Sequence, residues 1–125
     1  MTISPPAANI IYSGPAPAGD QPVLVLTTVA DADTAQRVAA TLVEERLAAC
    51  VNLGAPSLSI YVWQGAVQRE TELALTIKTL GARVDALARR LVQLHPYSVP
   101  ELLVLNVTGG SAAYLAWMAD NVQGG

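Results

Sequence analysis

The chain has 125 residues, 52% of them apolar and 14% charged, with a net charge of −3. That is one domain's length, and an isoelectric point near 4.9 argues against electrostatic binding to a phosphate backbone, so no nucleic-acid partner is expected. The single cysteine, Cys50, rules out an intrachain disulfide and fits a reducing cytoplasm; no stretch reads as a signal peptide or approaches the roughly 20 apolar residues of a membrane helix.

Charged residues usually make up about 25% of a soluble domain. A chain this poor in charge has little polar surface with which to cover a lone copy, and a buried interface between copies is expected.

Residues 1–21, with Pro5-Pro6 and Pro15-Ala16-Pro17, read as a loose extended tail. Within it, Ile10-Ile11-Tyr12 is too short to place. Residues 22–125 read as the folded domain. Val23 to Val29 is a continuous β-branched and aliphatic run, expected as a strand buried on both faces. Asp31 or Asp33 caps a first helix, whose stripe is Ala35, Val38, Ala39, Leu42, Val43 and Leu47. Ala48 to Asn52 leads into a second strand region, which Gly54 and Pro56 interrupt with a kink or bulge.

Ser57 to Thr79 is a long hairpin turning at Gln64-Gly65-Ala66. Its first arm carries Ile60, Tyr61, Val62 and Trp63. In its second arm Leu73, Leu75 and Ile77 alternate with Glu72, Ala74, Thr76 and Lys78, a period of two that places the two sets on opposite faces. Typical strands run to about 5–6 residues, so an arm from Val67 to Thr79 reaches beyond its own core. A turn at Gly65-Ala66 pairs Gln64 with Val67, and counting outward sets Lys78 opposite Leu53, near Asn52 and Cys50.

Gly81 ends the hairpin. Val84, Leu87, Ala88, Leu91 and Val92 stripe a second helix, which His95-Pro96 stops. Tyr97 to Glu101 is a stiff loop between prolines, Leu102 to Val107 a further buried strand, and Ser111 opens a last helix through about Asn121. The order β-α-β-β-α-β-α predicts an α+β, ferredoxin-like βαββαβ domain with an extra C-terminal helix. One face of its sheet stays open unless a second subunit covers it.

Three stretches hold the residues able to do chemistry: Leu47 to Asn52; Ile60 to Trp63 with Thr76 to Thr79 alongside; and His95 to Glu101. One histidine and one cysteine per chain do not build a nucleophile–base–orienter triad, so no enzyme is expected. Nor do they enclose a metal, since closed sites need about four ligands. Cys50, among alanine, valine and leucine, reads as a small core hydrophobe or a soft ligand. His95 reads as a helix-end partner of the last carbonyls or as a ligand. Lys78 is either solvated or paired with Glu101. Tyr61 and Trp63 read first as interface packing.

Together these stretches resemble the CutA family of divalent-cation tolerance proteins. The resemblance rests on Glu44 to Asn52, Ser59-Ile60-Tyr61 with Trp63 and Gly65, Ile77-Lys78-Thr79, and His95-Pro96-Tyr97 with Val99-Pro100-Glu101. It spans about residues 22 to 121. It implies a homotrimer joined through the long hairpins, PII-like in architecture. It also implies binding of copper or another divalent cation, none of them essential, and a role in the response to metal ions. Residue by residue it assigns metal ligation to Cys50, His95 and Glu101. It sets Tyr61, Trp63, Lys78 and Tyr97 in a pocket between subunits. Ser98 stands where the family usually has Glu, which predicts weaker binding of hard ions. Leu80-Gly81-Ala82-Arg83 departs from the family's polar Thr or Ser and Arg. A PII-like sensor of a small anionic metabolite and a purely structural trimer are the alternatives.

Overall fold

The structure is a computed structural model that describes residues 12–122; Met1 to Ile11, with the Ile10-Ile11 pair, and the last three residues lie outside it. The elements are β1 (Pro22–Val29), α1 (Ala32–Glu44), β2 (Cys50–Leu53), β3 (Ser57–Trp63), β4 (Ala66–Leu80), α2 (Gly81–Leu94), β5 (Leu103–Asn106) and α3 (Ala112–Val122). The strands form a mixed α/β domain's antiparallel sheet in the order β2-β4-β1-β5, with β3 paired to the outer part of β4. α1 and α2 cover one face, burying Val38, Leu42, Leu87 and Leu91 against Val25, Leu75 and Ile77. α3 buries Met118 and Val122 against Ala49 and Leu80.

Two expected strands are less buried than their composition suggests. β1 alternates fully buried and half-buried residues rather than burying both faces. In β5, Leu103 and Leu105 are exposed. In both strands the helices cover only one side. α1 starts as expected: Asp31 is extended, and its carboxylate accepts the Thr34 N–H at 2.7 Å. Its end is different. The helix stops at Glu44, and Arg46 takes a left-handed φ of 62°. The Leu47 N–H then bonds the Leu42 carbonyl, and the Arg46 N–H that of Val43. This is a Schellman closure with arginine where glycine is usual. Leu47 is therefore buried by folding back under the helix, and Val43, counted on the stripe, is exposed.

The hairpin is longer than expected, since β4 alone spans 15 residues. It turns at Gln64-Gly65, with φ of 50° and 80°, and pairs Trp63 with Ala66. A two-residue type I′ turn needs φ > 0 at both central positions, which Gln-Gly meets and Gly-Ala does not. Leu53 pairs with Leu75 but Ser57 pairs with Glu72, so Gly54-Ala55-Pro56 face only Leu73-Ala74. That extra residue is the expected bulge. Turn and bulge together set Lys78 opposite Cys50, not Leu53. The bulge also shifts the alternation, bringing Tyr61 and Trp63 onto the same face as Cys50, Lys78 and Glu72.

Within the described part of the expected tail, residues 17–21 lie against the domain. Gln21 donates to the Val107 carbonyl, and backbone bonds tie Gly19 and Gln21 to the start of α2.

Candidate functional site

The polar centre of the molecule lies at the root of the hairpin, where β1 ends and β4 runs on. Glu72 stands on the open face of the sheet but is only 3% exposed, because the 95–101 loop folds over it. Its carboxylate accepts the Tyr97 hydroxyl at 2.9 Å and the Thr28 hydroxyl at 3.3 Å. A buried carboxylate needs such donors. Burial first, then the bond to Glu72, pushes the Tyr97 phenol well above its ordinary value. Desolvation first, then the neighbouring Glu70, raises the Tyr61 phenol above its ordinary value.

His95 locks the loop. Its Nδ1 accepts the Tyr97 N–H at 3.1 Å, so the proton sits on Nε2, which donates to the Thr28 carbonyl at 2.7 Å. The rings of His95 and Tyr97 pack 4.6 Å apart. Burial holds the imidazole below its ordinary value, although Thr28 and Glu72 pull the other way. Glu101, partly buried, is raised by desolvation and by the charge of Glu72. Ser98 Oγ is buried without a hydrogen-bond partner among the described residues.

Cys50 lies elsewhere. It is half-buried in β2, its Sγ 4.0 Å from Asn52 Oδ1. Opposite it, Lys78 donates to the Tyr114 hydroxyl at 3.3 Å and sits 5.5 Å from that ring's centre. Along β4, Lys78 is about 20 Å from Glu72 at roughly 3.3 Å per residue. One chain therefore joins His95, Tyr97 and Glu101 with Tyr61 at the hairpin root, and sets Cys50 and Lys78 at the other end of β4. Trp63 is out at the hairpin tip, its Nε1 buried without a partner among the described residues. Lys78 meets Tyr114 rather than Glu101.

Among the described residues, no three His, Cys, Asp or Glu side chains gather so as to hold a metal ion. Both His95 nitrogens are already engaged, and Cys50 is distant. The donors of one chain do not fit a closed metal site.

Sequence reasoning missed Glu72, Thr28 and Tyr114. Glu72 was legible only as one polar residue of an alternating strand. Its signal is positional: in the observed pairing it falls just past the end of β1, where a loop from α2 must cross.

Among the described residues, no helix is long and apolar enough to cross a membrane. A family model described as CutA1 divalent ion tolerance protein matches residues 23–121. The divalent-cation tolerance protein CutA of Thermus thermophilus is 45% identical over 98 residues, 78% of this chain and 95% of that protein. Its namesake from Pectobacterium atrosepticum is 45% identical over 101 residues, covering 81% and 92%. The crystal structure of CutA from Xylella fastidiosa superposes with a TM-score of 0.80 at 37% identity, over 82% of this chain and 99% of that one. Matched along nearly its whole domain in both sequence and fold, the chain belongs to the CutA1 divalent ion tolerance family.

Proposed function

We propose that this protein acts in divalent-cation tolerance as a cytoplasmic homotrimer, each subunit a ferredoxin-like unit in a PII-like ring. In this reading it binds divalent ions, copper among them, at sites completed between subunits, and it is not an enzyme. One observation carries the reading. Leu58, Ile60, Val62 and Val67 form an apolar face on the hairpin, 56% exposed at Ile60 and 67% at Val62, beyond the reach of the chain's own helices. Such a patch marks an interface. Leu103 and Leu105 on the open sheet face offer a second copy the matching apolar surface. Trp63 Nε1 and Ser98 Oγ are buried polar atoms for which a neighbouring subunit could supply partners.

The sheet order, with β1 between β4 and β5 and with α1 and α2 on one side, supports the ferredoxin-like description. A cation is favoured over an anion at the hairpin root, because Glu101 feels the charge of Glu72 there and Tyr97 that of both Glu72 and Glu70, with no cation from the same chain among these causes. Since one chain's donors do not converge, Cys50 and Glu101 are the ligands left to act with a neighbour. The free thiol at Cys50 fits a reducing compartment.

Light scattering should give three times the 13.0 kDa of the chain, and copper titration should weaken in Cys50→Ser or Glu101→Gln. A stable monomer would sink the trimer, and unchanged affinity in both variants would remove these ligands. The sensor reading draws on Lys78, whose ammonium lies over Tyr114 away from the carboxylates. It requires a metal-free anion to raise the melting temperature by linkage; a purely structural trimer responds to neither.

A further inference from the structure

Ahead of β1 the chain folds back on the domain. A turn closed by the Gln21 N–H on the Ala18 carbonyl, at 3.0 Å, lays residues 17–21 across the first turn of α2. There the Gly81 N–H donates to the Gln21 carbonyl at 2.8 Å and the Ala82 N–H to the Gly19 carbonyl at 3.0 Å. These are the donors that a helix start leaves without intrahelical acceptors. A side chain at the N-cap usually takes one, but here the N-cap is Leu80 and makes no side-chain bond. Gln21 Nε2 anchors the same segment to the Val107 and Pro22 carbonyls, each at 2.8 Å.

Gly81 completes the argument. Its φ is not positive, so its torsions admit any residue, and in a helix alanine is the better choice. What excludes a side chain is the docked segment. A Cβ on Gly81 would collide with the Ala18 carbonyl oxygen and lie 2.9 Å from Pro17 Cβ. The segment precedes residue 23, where the family model begins. With Ala82 and Arg83 of α2 and Leu115 and Val122 of α3, its Gly19 and Asp20 wall a largely apolar groove of about 750 Å³.

We propose that residues 17–21 are a clasp added to the family domain: a backbone cap for α2 that only glycine at position 81 admits. Seated, it satisfies the helix start and forms one wall of the groove between α2 and α3. Unseated, it opens both together.

Hydrogen exchange on the full chain tests this. In Gly81→Ala, the amides of Gln21 and Ala82, both hydrogen-bonded here, should exchange on the order of tenfold faster or more, while those of Leu87 to Leu91 stay protected. Gln21→Ala, which cuts the anchor without touching α2, should give the same pattern. The two substitutions combined should add little to either alone in melting temperature, because both act through one event. Additive effects, or a strap that stays protected in Gly81→Ala, would overturn the clasp. If Gly81→Ala does not fold, Gln21→Ala alone decides: persistent protection of Gly81 and Ala82 refutes the proposal, and selective loss supports it.

Discussion

Glu72 is the residue on which the hairpin root depends. A carboxylate that is 3% exposed persists only while its donors do. Tyr97→Phe removes one of them and leaves Thr28, so the expected loss is about 1.5–3 kcal/mol in urea unfolding, the scale of a hydrogen bond to a charged group. A loss near zero would mean that water replaces the phenol. His95 sets a pH dependence whose sign follows from its burial. The folded imidazole is held below its ordinary value, so folding favours the neutral ring. Its contribution is complete above about pH 6.5, the ordinary histidine value, and is lost as pH falls through the folded value. Protonating Nδ1 would also end its acceptance of the Tyr97 N–H. Glu101 runs the other way and lower in pH. Its raised carboxyl favours the protonated form, with a contribution complete below about pH 4.3 and lost as pH rises through the folded value. With chelator present, melting temperatures between pH 7.5 and 5.5 should fall more steeply for wild type than for His95→Gln. Parallel curves would remove His95 as the source.

At the scale of elements, the hairpin is a lever whose two ends are set by different residues. The tip is a type I′ turn, with Gly65 at φ 80° and Gln64 at φ 50°. Gly65→Ala places a Cβ in the left-handed region and should cost about 1 kcal/mol, while Gln64→Asn should gain a few tenths, since asparagine tolerates that region best after glycine. Amide exchange across β3 and β4 would show both effects; an indifferent tip would mean that the turn is not the register-setting element. The base is the bulge at Gly54 to Pro56. By shifting the alternation it puts Tyr61 and Trp63 on the face of Glu72 and leaves Leu58, Ile60 and Val62 on the other. The hairpin therefore offers an apolar side and an aromatic, acidic side at once.

For the whole molecule, exposed hairpin residues and buried core residues should fail differently. Leu75 is fully buried beneath the helices, and Leu75→Ala should cost about 2–5 kcal/mol through the cavity it leaves. Ile60→Asp with Val62→Asp touches little of its own chain. The proposed trimer should then give way to a monomer of 13.0 kDa with unchanged far-ultraviolet circular dichroism. A trimer that survives both substitutions would place the interface elsewhere. The long reach of β4 separates the core that carries stability, under α1 and α2, from the exposed apolar face on which the proposed assembly rests.

Element order, the alternation of Leu73, Leu75 and Ile77, the stop at His95-Pro96 and the family motifs were all legible in the linear chain, because each rests on local periodicity or on a residue's own backbone preference. The hairpin's excess length was legible for the same reason. Its register was not. One residue of bulge and one position of turn move Lys78 from Leu53 to Cys50, and composition barely distinguishes the alternatives. Nor were the burial of Glu72, the double engagement of His95 or the separation of Cys50 from His95. Those depend on which strand end a loop crosses, a non-local fact. The docked strap over Gly81 belongs here too: proline and alanine read as loose until the partner that holds them, a helix start distant in sequence, is placed alongside.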